Sequence, residues 1–151
     1  MLKDFKKMIA INLAVIFFVA LDRFFKIFAF ANQAGEVNIL GEILKFNYKA
    51  NFYIAFSLPI SGVWLNAAIG LIILLLIYFF VRMWLIGRRD LSACLFAVIV
   101  GAASNLFDRL KYGFVIDYLD LKYFAVFNLA DAMIVAGVVL LLISIYKKEA
   151  V

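Results

Sequence analysis

Residues 64–86 read WLNAAIGLIILLLIYFFVRMWLI, with Arg82 the one charge in 23 positions. A helix rises about 1.5 Å per residue, so roughly 20 apolar residues cross the roughly 30 Å hydrocarbon core of a bilayer. Working outward, three more apolar runs have that scale: about 8–31, about 91–107 and about 124–146. Hydrophobic residues make up 68% of the chain, against roughly 45–50% in soluble domains, and the mean hydropathy is +1.08. A water-soluble fold of 151 residues cannot hide that much apolar surface. The expected architecture is membrane all-α: one integral membrane domain over residues 1–151, a four-transmembrane-helix bundle.

The net charge of +5 does not indicate a nucleic-acid partner, because the cations sit at the ends of apolar runs and form no stripe. Lys3, Lys6 and Lys7 precede the first run, Arg88 and Arg89 join the second to the third, and Lys147 and Lys148 follow the fourth. The positive-inside rule puts these flanks, and with them both termini, in the cytoplasm. The basic start of the first run resembles a signal peptide, but no small-residue cleavage site follows, so it reads as a membrane anchor. Connections 32–63 and 108–123 are then extracytoplasmic. Within them KFNYK (45–49) alternates with period two, and GFVIDYL (113–119) is β-branched and aromatic. Both patterns predict a small β-sheet element at the membrane surface.

A lone cysteine, Cys94, permits no internal disulfide. The absence of histidine removes Ser-His-Asp and Cys-His chemistry and argues against a metal site of the zinc type. Ser57 and Ser61 lie near Lys45 and Lys49, but loop serines beside lysines are a weak basis for a Ser–Lys peptidase.

The acids carry more information. Asn128 and Asp131 are three apart before an apolar run, the spacing of a helix cap. Asn105 and Asp108 repeat that spacing at the far end of a helix, where an acid opposes the helix dipole and calls for a cation such as Arg109 or Lys111. Asp117 lies in VIDYL, apolar on both sides, while Asp120 reads as solvated. Asp108, Asp117 and Asp131 all fall at the same membrane face. Two carboxylates held together share a proton, and such a pair can activate water and polarise a carbonyl. Spacing alone leaves an ion-binding mouth equally open.

The motifs narrow the choice. SNLFDR (104–109), VIDY (115–118), FNLAD (127–131), NFYIAFS (51–57) and DRFFK (22–26) occur in order over nearly the whole chain. Together they resemble the lipoprotein signal peptidase (signal peptidase II) family, whose patterns are Gly-Gly-x-x-Gly-Asn-x-x-Asp-Arg, Val-Val-Asp-Phe, Phe-Asn-x-Ala-Asp, Asn-x-Gly-x-Ala-Phe-Ser and Asp-Gln-x-x-Lys. The resemblance implies a membrane aspartic endopeptidase of the bacterial inner membrane. Such enzymes remove the signal peptide from diacylglyceryl-modified prolipoproteins at the extracytoplasmic face, with no cofactor. It implies Asp117 and Asp131 as the catalytic pair. Asn105, Asp108, Arg109 and Asn128 are implied as the shell that positions it, and Asn51 as a substrate-binding residue. Asp22 and Lys26, at i and i+4, read as a structural pair. Grooves between helices would hold the lipid of the precursor.

Departures from the pattern are Tyr53, Ser104 and Ala102 for glycines and Arg23 for glutamine. Each glycine replacement adds bulk where close packing is expected. None removes a carboxylate, so an active, divergent member is expected. Two other readings remain: a membrane ion or substrate carrier using the same acids, which predicts charges near the bilayer midplane, and an inactive relative that only binds lipoprotein precursors.

Overall fold

The computed structural model describes residues 2–52 and 62–149, with the side chains of residues 2–5, 7 and 147–149 left aside. Tyr53, Ser57 and Ser61 lie outside the described residues, as do the side chains of Lys3, Lys7, Lys147 and Lys148. In chain order the elements are α1 (Leu2–Ala31), β1 (Glu36–Leu40), β2 (Leu44–Asn51), α2 (Val63–Leu85), α3 (Arg89–Tyr112), β3 (Val115–Leu121) and α4 (Leu129–Glu149). Each of the four helices contains a segment long and apolar enough to cross a membrane: Met8–Ala31, Val63–Leu85, Arg89–Tyr112 and Leu129–Tyr146.

The first span, Met8–Ala31, matches the expected run, and its helix extends back to Leu2. Two boundaries differ from those expected. The third helix runs to Tyr112 and not 107; Gly113 stops it in the left-handed region at φ 83°, with its N–H on the Arg109 carbonyl. The fourth begins at Leu129 and not 124. Phe127 is instead bonded to Leu119 in both directions, N–H to carbonyl at 2.8 and 3.0 Å, which holds that segment against β3. The second connection therefore covers residues 113–128 and not 108–123.

α3 is the central helix and touches the other three. Its approach to α4 is close enough to need glycine. A Cβ on Gly101 would sit 2.7 Å from the Ala130 carbonyl oxygen, and one on Gly137 would sit 2.7 Å from Val98 Cγ2. Small residues permit this contact where lipid tails, as apolar as the side chains, supply no hydrophobic drive between helices. α2 behaves oppositely: only Leu65 is buried, and Leu71, Leu74 and Leu85 point away from the bundle. Such a rim is untenable in water and ordinary in hydrocarbon.

The three strands form an antiparallel sheet in the order β1-β2-β3. KFNYK lies inside β2, as its alternation predicts, and of the β-branched and aromatic run GFVIDYL the residues from Val115 on fall in β3; β1, which neither pattern marks, folds back through Gly41 at φ 51°. The sheet rests on one end of α1. Ala29, Ile116 and Tyr118 are buried there, with the Phe25, Phe46 and Tyr118 ring centroids 5.4–6.0 Å apart. This aromatic seat sets the height of β3, and with it of Asp117, against the helix ends. Between α1, α3 and α4 lies a half-open, mainly apolar groove of about 610 Å³, lined by Val15, Phe18, Ala97, Met133 and Leu140, with Arg89 and Asp90 at its rim.

Candidate active site

Four consecutive residues of β3, Val115 to Tyr118, are buried, so both faces of the strand are covered. Asp117 is 1% exposed. Its Oδ1 accepts a hydrogen bond from Asn128 Nδ2 at 2.7 Å and its Oδ2 one from Asn51 Nδ2 at 2.9 Å. Asp131 stands in the first turn of α4, where Asn128 caps the helix reciprocally. The Asp131 N–H donates to Asn128 Oδ1 at 2.9 Å, and the Asn128 N–H donates to Asp131 Oδ2 at 3.3 Å. Asn105 Nδ2 donates to Asp131 Oδ1 at 2.7 Å. The helix-cap role expected from the spacing is present, and the same asparagine also grips Asp117. Asn128 thus holds both carboxylates.

Behind this pair lies a charge quartet. Lys26 Nζ, fully buried, contacts Asp22 Oδ2 at 3.0 Å, Asp108 Oδ2 at 2.8 Å and Asn105 Oδ1 at 2.7 Å. Arg23 pairs with Asp108 Oδ1. Asp108 therefore has partners other than those expected: the cations come from α1, not from Arg109 or Lys111. Arg109, adjacent to Asp108 on α3, does not share its helix face, and Lys111, three residues on, is turned over the Phe107 and Tyr112 rings. Two carboxylates and two cations leave the quartet neutral, the condition for burying charge at a tolerable cost. Arg109 points toward the strand end, 3.5 Å from the Phe52 carbonyl oxygen, and within electrostatic reach of Asp117 and Asp131. Asp120 is half-buried, with Asn47 Nδ2 at 3.4 Å, and is not the fully solvated residue expected.

The electrostatics of Asp117 follow from this setting. Burial pushes its carboxyl up, and the charge of Asp131 pushes it further, to about 7. The donors on Asn51 and Asn128, and the Lys26 ammonium, pull the other way without prevailing. At neutral pH the group is poised between its two forms.

Two acids linked through Asn128 thus stand at one end of a four-helix apolar frame that carries a small sheet. The family model for signal peptidase (SPase) II matches residues 14–147. The chain belongs to the signal peptidase II family. Among relatives, the lipoprotein signal peptidase of Halothermothrix orenii is 30% identical over 145 residues, covering 93% of this chain and 98% of that one. The lipoprotein signal peptidase of Caldicellulosiruptor bescii is 40% identical over 113 residues, covering 74% and 73%. A solved bacterial membrane enzyme superposes with a TM-score of 0.79 at 20% identity, over 95% of this chain and 90% of that one. That likeness concerns the fold. Signal peptidase II membership makes the chain a membrane protease with four spans.

Sequence reasoning missed three members of the polar cluster in this signal peptidase II chain. Arg23 and Ser104, which in sequence are only departures from the pattern, both donate hydrogen bonds to its buried carboxylates. Tyr118, one aromatic among several in a strand-like run, has its hydroxyl bonded on both sides, to Asp22 and to the Leu129 N–H.

Proposed function

We propose that this protein is an aspartic endopeptidase that removes signal peptides from diacylglyceryl-modified prolipoproteins, with Asp117 and Asp131 as its catalytic pair. The observation that carries the reading is Asn128, which bonds Asp117 through its amide and Asp131 through its N–H. Asp131, at the positive end of α4, is the carboxylate at rest, and Asp117 carries the shared proton. Asp131 takes a proton from water as the oxygen attacks the scissile carbonyl carbon, while Asp117 donates its proton to the carbonyl oxygen. Collapse of the resulting gem-diol breaks the C–N bond. A proton passes to the leaving amine, another returns to Asp117, and no covalent intermediate forms.

Asn105 and Asn128 orient the pair, and Asn51 and Arg109 flank the strand end along which the peptide backbone enters. The names of the relatives, lipoprotein signal peptidases, support the substrate class. The apolar groove reaches Met133, two residues from Asp131, and offers room for the greasy part of a precursor. The basic flanks orient the bundle with both termini cytoplasmic and the sheet end extracytoplasmic. A carrier finds less support, because Asp108, Asp117 and Asp131 collect at the sheet end, and Asp22 and Asp108 within the helices are paired with cations.

The test is mass spectrometry of a diacylglyceryl-modified prolipoprotein peptide after incubation with purified protein. Wild type should cut immediately before the lipidated cysteine, and Asp117→Asn and Asp131→Asn should leave the peptide whole. Cleavage by either variant at more than a few percent of the wild-type rate sinks the proposal.

A further inference from the structure

Asp22 is fully buried, and the chemistry above does not use it. Its carboxylate is saturated. Oδ2 accepts from Ser104 Oγ at 2.7 Å and Lys26 Nζ at 3.0 Å; Oδ1 accepts from the Tyr118 hydroxyl at 3.1 Å and the Ala130 N–H at 3.2 Å. The Tyr118 hydroxyl in turn accepts from the Leu129 N–H at 3.1 Å.

Leu129, Ala130 and Asp131 open α4, and the first N–H groups of a helix have no partner within it. Here they are met one by one: Leu129 by Tyr118, Ala130 by Asp22 and Asp131 by Asn128. Two of the three caps therefore come from other elements, β3 and α1. Tyr118 also follows Asp117 directly along β3. One hydroxyl thus fastens the strand that carries Asp117 to the helix turn that carries Asp131, with Asp22 as the anchor behind it. Both Tyr118 and Ser104 stand where the family pattern quoted above has a residue without a hydroxyl, Phe and Gly.

We propose that Tyr118, anchored by Asp22 and Ser104, is a positioning residue that sets the placement of Asp131 relative to Asp117. The inference rests on the reading of those two acids as the catalytic pair. Removing the hydroxyl frees the first turn of α4 without touching either acid or the aromatic packing, since a phenylalanine ring still fits against Phe25 and Phe46. A looser turn lets Asp131 drift and weakens its hold on the Asp117 proton, while the peptide-binding surface is unchanged.

The experiment is steady-state cleavage of a diacylglyceryl-modified precursor peptide across pH 5–9 by Tyr118→Phe and Ser104→Ala, beside wild type, Asp117→Asn and Asp131→Asn. For Tyr118→Phe, kcat should fall about tenfold with KM within twofold, and the alkaline limb of the kcat profile should move a few tenths of a pH unit lower. Ser104→Ala, which strips the other hydroxyl from Asp22, should move both readouts in the same direction by a smaller amount. It decides the matter alone if Tyr118→Phe does not fold. A Tyr118→Phe enzyme that melts earlier but keeps wild-type kcat and pH limb overturns the inference and leaves Tyr118 a packing residue. In that case inert Asp117→Asn and Asp131→Asn variants would still uphold the catalytic pair, whereas cleavage by either of them would overturn the pair itself.

Discussion

Replacing Asp117 with asparagine should abolish cleavage and, at neutral and alkaline pH, stabilise the protein. The carboxyl is raised from 3.8 to about 7 in the folded chain, chiefly by burial and then by Asp131. At about 1.4 kcal/mol for each tenfold change in proton affinity, this amounts to about 4 kcal/mol. The sign follows from linkage. A carboxyl whose folded pKa lies above its unfolded value leaves stability intact below pH 3.8. Stability then falls as the unfolded state releases its proton first, and the loss is complete once the pH exceeds about 7. Asparagine has the same shape and no proton to lose, so it carries none of that penalty. The melting temperatures of wild type and Asp117→Asn in detergent should therefore coincide near pH 4 and diverge by roughly 10 °C in favour of the variant near pH 8. A gap that stays constant from pH 4 to pH 9 would refute the reasoning, because a packing effect has no pH dependence in that window.

The same group should also set the pH dependence of cleavage. If Asp117 must hold the shared proton, kcat should decline as pH rises through about 7, and a flat profile to pH 9 would exclude that role. Gly101→Ala forces a Cβ against the Ala130 carbonyl, 2.7 Å away on backbone that cannot yield cheaply. It should cost roughly 1–3 kcal/mol in thermal denaturation and lower kcat by displacing the first turn of α4. Lys26→Met strips the cation from buried Asp22 and leaves Asp108 with the Arg23 guanidinium and the Ile116 N–H. A loss of roughly 3–5 kcal/mol is expected by calorimetry, and an unchanged melting temperature would mean that the quartet is not held by Lys26.

The helices were legible because lipid imposes a single rule on a spanning segment: uninterrupted apolar length. Residues 64–86 obey it with one cation in 23 positions, and α2 spans 63–85. Helix ends were less legible because they depend on local geometry that hydropathy does not register. Gly113 in the left-handed region and the Phe127–Leu119 pairing moved two of them by four or more residues. Alternation revealed the core of β2 and β-branched and aromatic content that of β3, but neither marked β1, which is exposed on every residue and so carries no inward-facing pattern to read. Among the polar residues, i, i+3 spacing correctly grouped Asn128 with Asp131. The partner of Asp108 lay out of its reach, because Arg23 and Lys26 approach from a helix more than 80 residues away in sequence. Local spacing reports what shares a helix face; it is silent about which faces meet.

That difference bears on what the charge quartet is for. Buried ion pairs rarely add net stability over apolar residues of the same volume, so four charges in a bundle this apolar are poorly explained by stability alone. Their geometry offers a better account. Lys26 contacts Asn105, Asn105 contacts Asp131, and Asp22 caps the Ala130 N–H one residue earlier, so the quartet and Asp131 form one continuous hydrogen-bonded body. Asp117 relates to this body differently, as a group whose ionisation the fold resists. Neutralising the resisted charge should raise stability while ending activity, and breaking the scaffold at Lys26 should lower both. A protein in which Asp117→Asn and Lys26→Met shifted stability in the same direction at pH 8 would have its strain and its support distributed in some other way than this hydrogen-bond pattern implies.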